Sequence, residues 1–282
     1  MKCKGFYFLF KMISFPNAKV NLGLIVAGKR KDGFHDIETV YYPVAFCDAL
    51  EIIPSKCQEH SFHYSGLKIP GSGKNICEQA VELLSENYNF PAIEMHLHKH
   101  IPMGAGLGGG SADAAFCLQM MSELFDLAIP HNQLMQMAAE LGSDCPFFIR
   151  NEAVYASGRG NVFSETKLDL KGYHIRIVKP DISVSTAEAY RNIKAGKKKY
   201  ELQELIENTA PSQWKGVLVN DFEDYVFGRF PEIRKIKEQL YEEGAVYASM
   251  SGSGTALYAL FREAPAHCSK LEKYFVWDGF LG

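Results

Sequence analysis

The sequence predicts an α+β protein of two domains. Its 282 residues, 47% of them hydrophobic, are enough for two separate cores. Residues 93–101 alternate apolar and polar side chains, the pattern of a half-buried strand, and a glycine-rich stretch leads from them into a helix. Near the other end, a helix from Pro231 to Glu243 precedes two apolar strands joined by a glycine turn. We expect the domains to span 12–163 and 164–282.

The first long strand is expected over residues 18–26. Its apolar residues alternate along one face, which places Lys19 and Asn21 together on the other. Position alone favours the polar, solvated side of an edge strand for these two residues. A pair of functional side chains is the alternative.

A hairpin is expected next, because Asp32-Gly33 is a turn signal and residues 37–46 are rich in strand-forming side chains. Phe34 and His35 follow the turn directly. An aromatic ring beside a hairpin turn usually serves packing. The pair is also suited to stacking on a heterocycle and hydrogen bonding to it.

A helix is expected over residues 75–88, with Asn75 as its N-cap and Ile76, Ala80 and Leu83 as its apolar stripe. The strand at 93–101 then carries three histidines on one face: His96, His98 and His100. A metal site is disfavoured there, since the sequence implies no carboxylate or cysteine partner. Lys99 points to the opposite, apolar face, beside the glycine stretch, where it could meet a nucleotide.

The glycine stretch runs from Pro102 to Ala115 and contains five glycines. A helix is expected from Ser111, with Ser111 or Gly110 as N-cap. Strand, glycine loop and helix start together produce a group of backbone N–H donors at the positive end of a helix dipole, which suits a phosphate. We therefore expect a phosphate-binding loop.

Three other interpretations of this stretch are less favourable. A dinucleotide fingerprint would require an acid at the end of a second strand about 20 residues later, but residues 119–127 are expected to be helical. A Walker A loop would require a lysine after the glycines, and none follows. A plain turn would use one or two positive-φ residues rather than five glycines.

A short acidic turn follows the helix expected over residues 132–141, which Gly142 closes. The turn reads Ser143-Asp144-Cys145-Pro146. Asp144 either caps this turn or serves as an acid held on a rigid corner near the phosphate loop.

The second half is expected to alternate strands with helices. Its first strand should span residues 173–179, helices should begin at Thr186, Leu202, Val217, Pro231 and Ala264, and a short strand should lie near Phe275. Gly252, Ser253 and Gly254 form the turn between its two apolar strands.

Composition excludes several classes of function. A net charge of −3 and a pI near 6.3 provide no basic field for nucleic acid, and the run Lys194–Lys199 is expected to be a solvated loop. Seven scattered cysteines without a C-x-x-C pair fit reduced thiols in a cytoplasm. No apolar run approaches a membrane span, and residues 1–11 lack the features of a signal peptide. We expect a cytoplasmic protein acting on a small molecule, as a monomer or weak homodimer.

Three blocks of the sequence resemble the superfamily of galactokinase, homoserine kinase, mevalonate kinase and phosphomevalonate kinase. They are residues 16–22, 102–112 and 250–255. Within the superfamily, the Lys19-x-Asn21 pair, the Asp32–His35 segment and the Leu141–Pro146 segment resemble the family of 4-diphosphocytidyl-2-C-methyl-D-erythritol kinases.

The resemblance implies a fold and a reaction. The N-terminal domain would be like domain 2 of ribosomal protein S5, the C-terminal domain would be ferredoxin-like, and the active site would lie in the cleft between them. The reaction would transfer a phosphoryl group from ATP, with Mg²⁺, to the 2-hydroxyl of the methylerythritol unit. Lys74 departs from the family, which more often has an acid there. No carboxylate for the metal is evident, and Ser111 is the candidate.

The resemblance also implies a role for each site residue. Asp144 would be the base, and Lys19 would favour its ionised form. The residues implied to bind ATP are Pro102, Met103, Gly104, Ala105, Gly106, Leu107, Gly108, Gly109, Gly110, Ser111, Ala112, Asn75 and Lys99. The residues implied to bind the cytidine substrate are Asn21, Phe34, His35, Thr186, Tyr190, Gly252, Ser253 and Gly254. Among these, Phe34 and His35 would stack on and hydrogen-bond the base, Tyr190 would lie on its other side, and Thr186 would lie near the erythritol end.

Three rival functions remain at this point. A sister kinase for mevalonate, homoserine or a sugar would have no evident use for Phe34 and His35. A dinucleotide-dependent oxidoreductase is disfavoured by the missing acid. A nucleotide sensor without catalysis is disfavoured by the presence of both Lys19 and Asp144.

Overall fold

The computed structural model describes residues 12–71, 73–193, 200–266 and 268–282. The expectations for residues 1–11 and for the lysine-rich run 194–199 fall outside these ranges. The chain divides into two compact units. The first comprises 12–16, the described part of 47–100, and 110–149; the second comprises 17–46, 101–109 and the described part of 150–282. Each unit is therefore assembled from separate stretches of chain.

The strands of the described chain are β1 (Met12–Ser14), β2 (Asn17–Lys29), β3 (His35–Cys47), β4 (Ala49–Pro54), β5 (Ser61–Gly66), β6 (Ile93–Lys99), β7 (Val154–Ser157), β8 (Val162–Glu165), β9 (His174–Lys179), β10 (Tyr247–Met250), β11 (Leu257–Phe261) and β12 (Phe275–Phe280). Its α-helices are α1 (Ile76–Ser85), α2 (Gly109–Leu124), α3 (His131–Leu141), α4 (Cys145–Arg150), α5 (Thr186–Asn192), α6 (Leu202–Asn208), α7 (Phe222–Arg229) and α8 (Pro231–Glu242). Within these residues no helix has the length and apolar character needed to cross a bilayer.

The sheet of the first unit has the strand order β1-β4-β6-β5. Strand β6 pairs antiparallel with β4 and parallel with β5. Its apolar residues Ile93, Met95 and Leu97 are buried, as their alternation predicts. The strand predicted over 93–101 is thus confirmed, although it ends at Lys99, whereas β5 was not anticipated.

Helix α1 begins as predicted. The Asn75 side chain caps it by accepting a hydrogen bond from Cys77 N at 2.8 Å. The predicted stripe was wrong by about one position, because the buried residues of this helix are Cys77, Ala80, Val81 and Leu84.

Helix α2 begins at Gly109, two residues before the predicted start. The reason is the backbone of the glycine loop. Gly104, Gly106 and Gly108 have positive φ angles, whereas Gly109 and Gly110 are helical. The predicted caps, Gly110 and Ser111, therefore already lie inside the helix.

The second unit contains two sheets, with orders β2-β3-β7-β8 and β10-β11-β9-β12. One core cluster combines apolar residues of both sheets, including Val20, Phe46 and Tyr258. Phe46 also stacks on Trp277, with ring centroids 5.1 Å apart. A second cluster joins the apolar stripe of α8, formed by Ile233, Ile236 and Leu240, to residues of β9, β10 and β11.

Strand β2 lies at the edge of its sheet, as expected, but it is not solvated. Lys19 and Asn21 are each only 2% exposed. The interpretation of a polar, solvated face is wrong because other chain segments cover the edge: Lys19 N donates to Leu107 O, and Leu24 N donates to Val219 O. The second contact also explains why α7 begins at Phe222 rather than Val217, since residues 219–220 extend alongside β2.

Candidate active site

The glycine loop, residues 101–109 of the second unit, has two alternating sets of residues. Ala105 and Leu107 are buried, at 1% exposure each. Gly104, Gly106 and Gly108 alternate with them and have φ angles of 62°, 79° and 74°. A side chain at these angles is strained, because its Cβ approaches the following carbonyl oxygen. The buried residues anchor the loop, and the glycines provide its turns.

A second glycine turn, residues 251–254, packs directly on this loop within the second unit. Ser251 Oγ donates to Gly106 O at 2.7 Å, and Ala256 N donates to Ala105 O at 3.1 Å. A Cβ added at Gly106 would lie 2.8 Å from Ser251 C and would overlap the oxygen bonded to it. Gly106 is therefore required for close backbone contact, whereas a Cβ at Gly104 would meet no atom within 4 Å.

The start of β2 completes this group of segments. Lys19 N donates to Leu107 O at 2.9 Å, so the strand is bonded to the loop. Lys19 Nζ donates to Asn21 Oδ1 at 2.6 Å, and Asn21 Nδ2 donates to Thr39 Oγ1 at 3.1 Å. Gly252 lies beside the same amide, since a Cβ on it would be 3.5 Å from Asn21 Oδ1. The three sequence blocks that carry the family resemblance thus have members in contact in this unit.

Asn220 holds the second glycine turn and was not identified from the sequence. Its Nδ2 donates to Met250 O at 2.8 Å and to Gly252 O at 2.9 Å, and the side chain is buried. The sequence offered one weak signal: an asparagine just before a helix, which reads as an ordinary cap. Its Oδ1 does accept from Phe222 N.

Helix α5 contacts both the second turn and the hairpin. Ser185 caps this helix, with its Oγ accepting from Glu188 N at 3.1 Å. Thr186 and Tyr190 are four residues apart and share a face. Thr186 Oγ1 lies 3.1 Å from Ser253 Oγ, and the Tyr190 ring stacks on His35 with centroids 4.9 Å apart and 24° between planes. The structure therefore brings together four residues predicted to bind the substrate.

Phe34 directly precedes His35 in the chain and is 49% exposed. The guanidinium of Arg159, in the turn between β7 and β8, lies 3.5 Å from the centre of the Phe34 ring. Arg159 was not foreseen, because sequence spacing does not show that these two turns meet.

Asp144 belongs to the first unit, in the turn that precedes α4. The turn lies near the start of α2, since a Cβ at Gly142 would be 3.2 Å from Cys145 Sγ and 4.0 Å from Ser111 Oγ. Burial raises the pKa of the Cys145 thiol to about 12, and a hydrogen bond with Ser111 partly opposes that rise. Asp144 is partly exposed, and the thiol beside it is kept neutral.

Lys99, also in the first unit, lies in a buried charged cluster with Asp48 and Asp113. Its Nζ is bonded to an oxygen of each carboxylate, at 2.6 Å for Asp113, and the three side chains are at most 1% exposed. Burial alone would lower the pKa of Lys99, but the two aspartates outweigh it and raise that pKa. Burial also raises the pKa of Asp113 well above its usual range, with Lys99 opposing the rise and Asp48 adding to it. The predicted contact of Lys99 with a nucleotide stays a prediction, and a side-chain contact would require these ion pairs to open.

Profiles of known families match both halves of the chain. The GHMP kinases N terminal domain matches residues 75–152, and the GHMP kinases C terminal domain matches residues 195–275.

Relatives and solved structures match most of the chain. A 4-diphosphocytidyl-2-C-methyl-D-erythritol kinase of Bacteroides thetaiotaomicron is 52% identical over 89% of this chain and 92% of its own length. One from Parabacteroides distasonis is 47% identical over 96% of this chain and all of its own. A crystal structure of 4-(cytidine 5'-diphospho)-2C-methyl-D-erythritol kinase has a TM-score of 0.77 at 27% identity, and covers 96% of this chain and 99% of the other. The mevalonate kinase of Methanococcus jannaschii shares the fold, with a TM-score of 0.63 at 14% identity. The match covers 96% of this chain and 98% of that one. The chain belongs to the GHMP kinases and, among them, to the 4-diphosphocytidyl-2-C-methyl-D-erythritol kinase family.

Proposed function

We propose that this chain transfers the γ-phosphoryl group of ATP to the 2-hydroxyl of 4-diphosphocytidyl-2-C-methyl-D-erythritol, giving the 2-phosphate and ADP. This step belongs to non-mevalonate isoprenoid precursor biosynthesis. The observation that carries the proposal is the contact of the glycine loop with β2 and with the 251–254 turn in the second unit. The relatives at 47–52% identity support the substrate.

The glycine loop would hold the phosphates of ATP. Gly104 is exposed and has open space where a side chain would otherwise project, which suits close approach of a phosphate to the backbone. The first turn of α2 adds the positive end of a helix dipole. Phosphoryl transfer depends mainly on alignment and charge stabilisation, and such donors provide both.

Magnesium would neutralise phosphate charge when bound with ATP. Ser111 is our proposed contact to it, although its hydroxyl also bonds Cys145 in this structure. Asp113 does not fit the role, because its side chain is 1% exposed and bonded to Lys99.

Asp144 would accept or orient the proton of the reacting hydroxyl. Its turn lies beside Ser111, at the helix start that follows the phosphate loop. Lys19 would favour the ionised carboxylate through its positive charge.

Phe34, His35 and Tyr190 would bind the cytosine. His35 and Tyr190 already stack at 4.9 Å, a direct contact distance that leaves no room for a third ring between them. We therefore propose that the base stacks on the exposed ring of Phe34, with His35 as its hydrogen-bond partner and Tyr190 completing the pocket. Arg159 lies on that ring at 3.5 Å and would have to move aside.

We also propose the finer features that the family resemblance implies. They are an S5-like domain over 12–163, a ferredoxin-like domain over 164–282, a cytoplasmic location, and a monomer or weak homodimer. The position of the active site in a cleft stays a prediction.

The first experiment measures ADP release with magnesium-ATP and, in parallel, the cytidine compound, mevalonate and homoserine. We expect turnover with the cytidine compound alone. Turnover with another alcohol would support the assignment of the phosphate loop but refute that of the cytosine pocket. Turnover with none of the three would favour a nucleotide sensor without catalysis.

Asp144→Asn tests the base. We expect the variant to fold and bind ATP while losing roughly 10²-fold or more in kcat. Asp224→Asn, the same change at an exposed aspartate in the first turn of α7, is the matched control and should keep full activity. Wild-type turnover by Asp144→Asn would refute the assignment.

His35→Ala tests the pocket. KM for the cytidine compound should rise far more than KM for ATP. Equal changes in the two values would rule out a role in reading the base.

A further inference from the structure

A cluster of three side chains lies on the open face of the first unit's sheet, apart from the residues assigned to catalysis. His63 on β5 stands opposite His96 on β6 in the parallel register, and Glu94 precedes His96 by two residues on the same face. Their ligand atoms lie within 4.8 Å of one another. The alternation of β6 already placed Glu94 on the same face as its histidines, whereas the pairing with His63 on β5 was not visible in the sequence.

We propose that His63, Glu94 and His96 form a binding site for a borderline transition-metal ion, of which Zn²⁺ is the representative. Two imidazoles and one carboxylate are a donor set that zinc accepts, with water or a further ligand in the fourth position. Magnesium is not expected to compete, because it favours oxygen ligands in octahedral geometry.

The distances fit one ion bound by all three side chains. Glu94 Oε1 lies 2.8 Å from His96 Nε2 and 3.8 Å from His63 Nε2. Ligands about 2.0–2.1 Å from a tetrahedral zinc are about 3.4 Å apart. The two observed separations lie on either side of that value, and all three ligand atoms lie within 4.8 Å of one another, so rotations of the side chains would place them around an ion.

The strands hold the two imidazoles side by side. The rings of His63 and His96 stack with centroids 4.6 Å apart and 16° between planes, so both rings would have to tilt to direct their in-plane nitrogen lone pairs at one ion. Glu51 stands opposite His96 on the other neighbouring strand, which adds negative charge to this row of the sheet. The side chain of His63 is 54% exposed, that of Glu94 37% and that of His96 41%. An ion and its water can therefore reach all three.

Two neighbouring histidines have other partners. His98 Nδ1 lies 2.9 Å from Ser65 Oγ, and His60 Nδ1 accepts from Ile93 N at 3.1 Å. An ion bound by the cluster would join the edge strand β5 to β6, and its binding should therefore raise the unfolding temperature.

The test is titration calorimetry of the full chain, freed of metal by a chelator and studied in excess magnesium, with Zn²⁺ as titrant. We expect one saturable site in the wild-type protein and at least tenfold weaker binding in His63→Ala and in His96→Ala. Glu94→Gln should weaken binding by a smaller factor. Unchanged circular dichroism and unchanged kinase activity would show that the variants fold.

Two control variants separate this site from others. His98→Ala removes a histidine from the same face, and Cys57→Ser removes an exposed thiol. Both should bind zinc as the wild type does, and the rise in unfolding temperature with Zn²⁺ should be lost only in the cluster variants. Absence of saturable binding, or binding that survives both histidine substitutions, would overturn the proposal.

Discussion

The two ends of the glycine loop and its middle are held by different interactions. At the ends, Lys99 precedes the loop and Asp113 follows it in α2, and their side chains are joined at 2.6 Å in a buried cluster completed by Asp48. In the middle, Gly106 packs backbone to backbone on Ser251. The ends depend on charge, whereas the middle depends on the absence of a side chain.

The difference separates residues that shape the loop from residues that meet the ligand. A buried ion pair contributes little net stability, but removal of one partner leaves a charge unpaired. A glycine in close contact tolerates no Cβ. Gly104 differs from both, because its φ is left-handed and its surroundings are open. Substitutions at these positions should therefore differ in size and in the property they change.

Lys99→Met should have the largest effect. Methionine has a similar length, but it leaves the buried Asp48 carboxylate, beside Asp113, without a cation, which should lower the free energy of unfolding by about 3–5 kcal/mol. Urea unfolding followed by circular dichroism measures this loss. Lys68→Met, at an exposed lysine, should change it by about 0.5 kcal/mol or less. If both variants lost equally little stability, the buried charges would not be what holds the ends of the glycine loop.

Gly106→Ala should follow. Left-handed strain costs roughly 1–2 kcal/mol, and displacement of the Ser251 carbonyl should add about 1–3 kcal/mol by analogy with overpacking. We expect weak turnover at any ATP concentration, because the two glycine turns can no longer pack together. A stable variant with normal kcat would show that the 251–254 turn can move without consequence.

The middle of the loop was largely predictable from the sequence, and its ends were not. Five glycines between a strand and a helix predict positive φ angles and close backbone contacts. The contact of Gly106 with Ser251 spans 145 residues, and no periodicity reveals it. Asp113 was a readable signal that sequence reasoning missed, since it is an acid among the buried alanines of α2. It implies a buried cation, and Lys99 on an apolar strand face is the matching residue.

The substrate side shows the same division. The Asp-Gly turn predicts the hairpin that presents Phe34 and His35, and the spacing of Thr186 and Tyr190 places both on one face of α5. The contacts of Arg159 with Phe34 and of Asn220 with the second turn depend on how separate segments meet. Local pattern indicates an element's type, whereas the pairing of elements, and with it the faces that become covered, comes from packing.

Gly104→Ala should have a smaller effect on stability and a specific effect on binding. Only the backbone strain applies, roughly 1–2 kcal/mol, because a Cβ there meets no atom within 4 Å. The methyl group would occupy the space proposed for a phosphate, so KM for ATP should rise while KM for the cytidine compound stays nearly constant. Comparison with Gly106→Ala at equal temperature separates the two effects. If KM for ATP did not change, the phosphates of ATP would not bind beside Gly104.

Asp113→Asn should have the smallest effect, and its sign should depend on pH. Burial raises the pKa of Asp113 in the folded protein above its unfolded value. The folded state therefore holds a proton that the unfolded state releases, and wild-type stability should fall as pH rises from about 4 towards the raised pKa. Asparagine keeps the shape without titrating, and it leaves Lys99 paired with Asp48 alone. The variant should equal the wild type to within about 1 kcal/mol at pH 5 and become relatively more stable by pH 8. Urea unfolding across this range, with Asp224→Asn as the exposed control, measures the difference. A variant that loses stability relative to the wild type as pH rises would show that Asp113 is ionised in the cluster and that Lys99 requires both carboxylates.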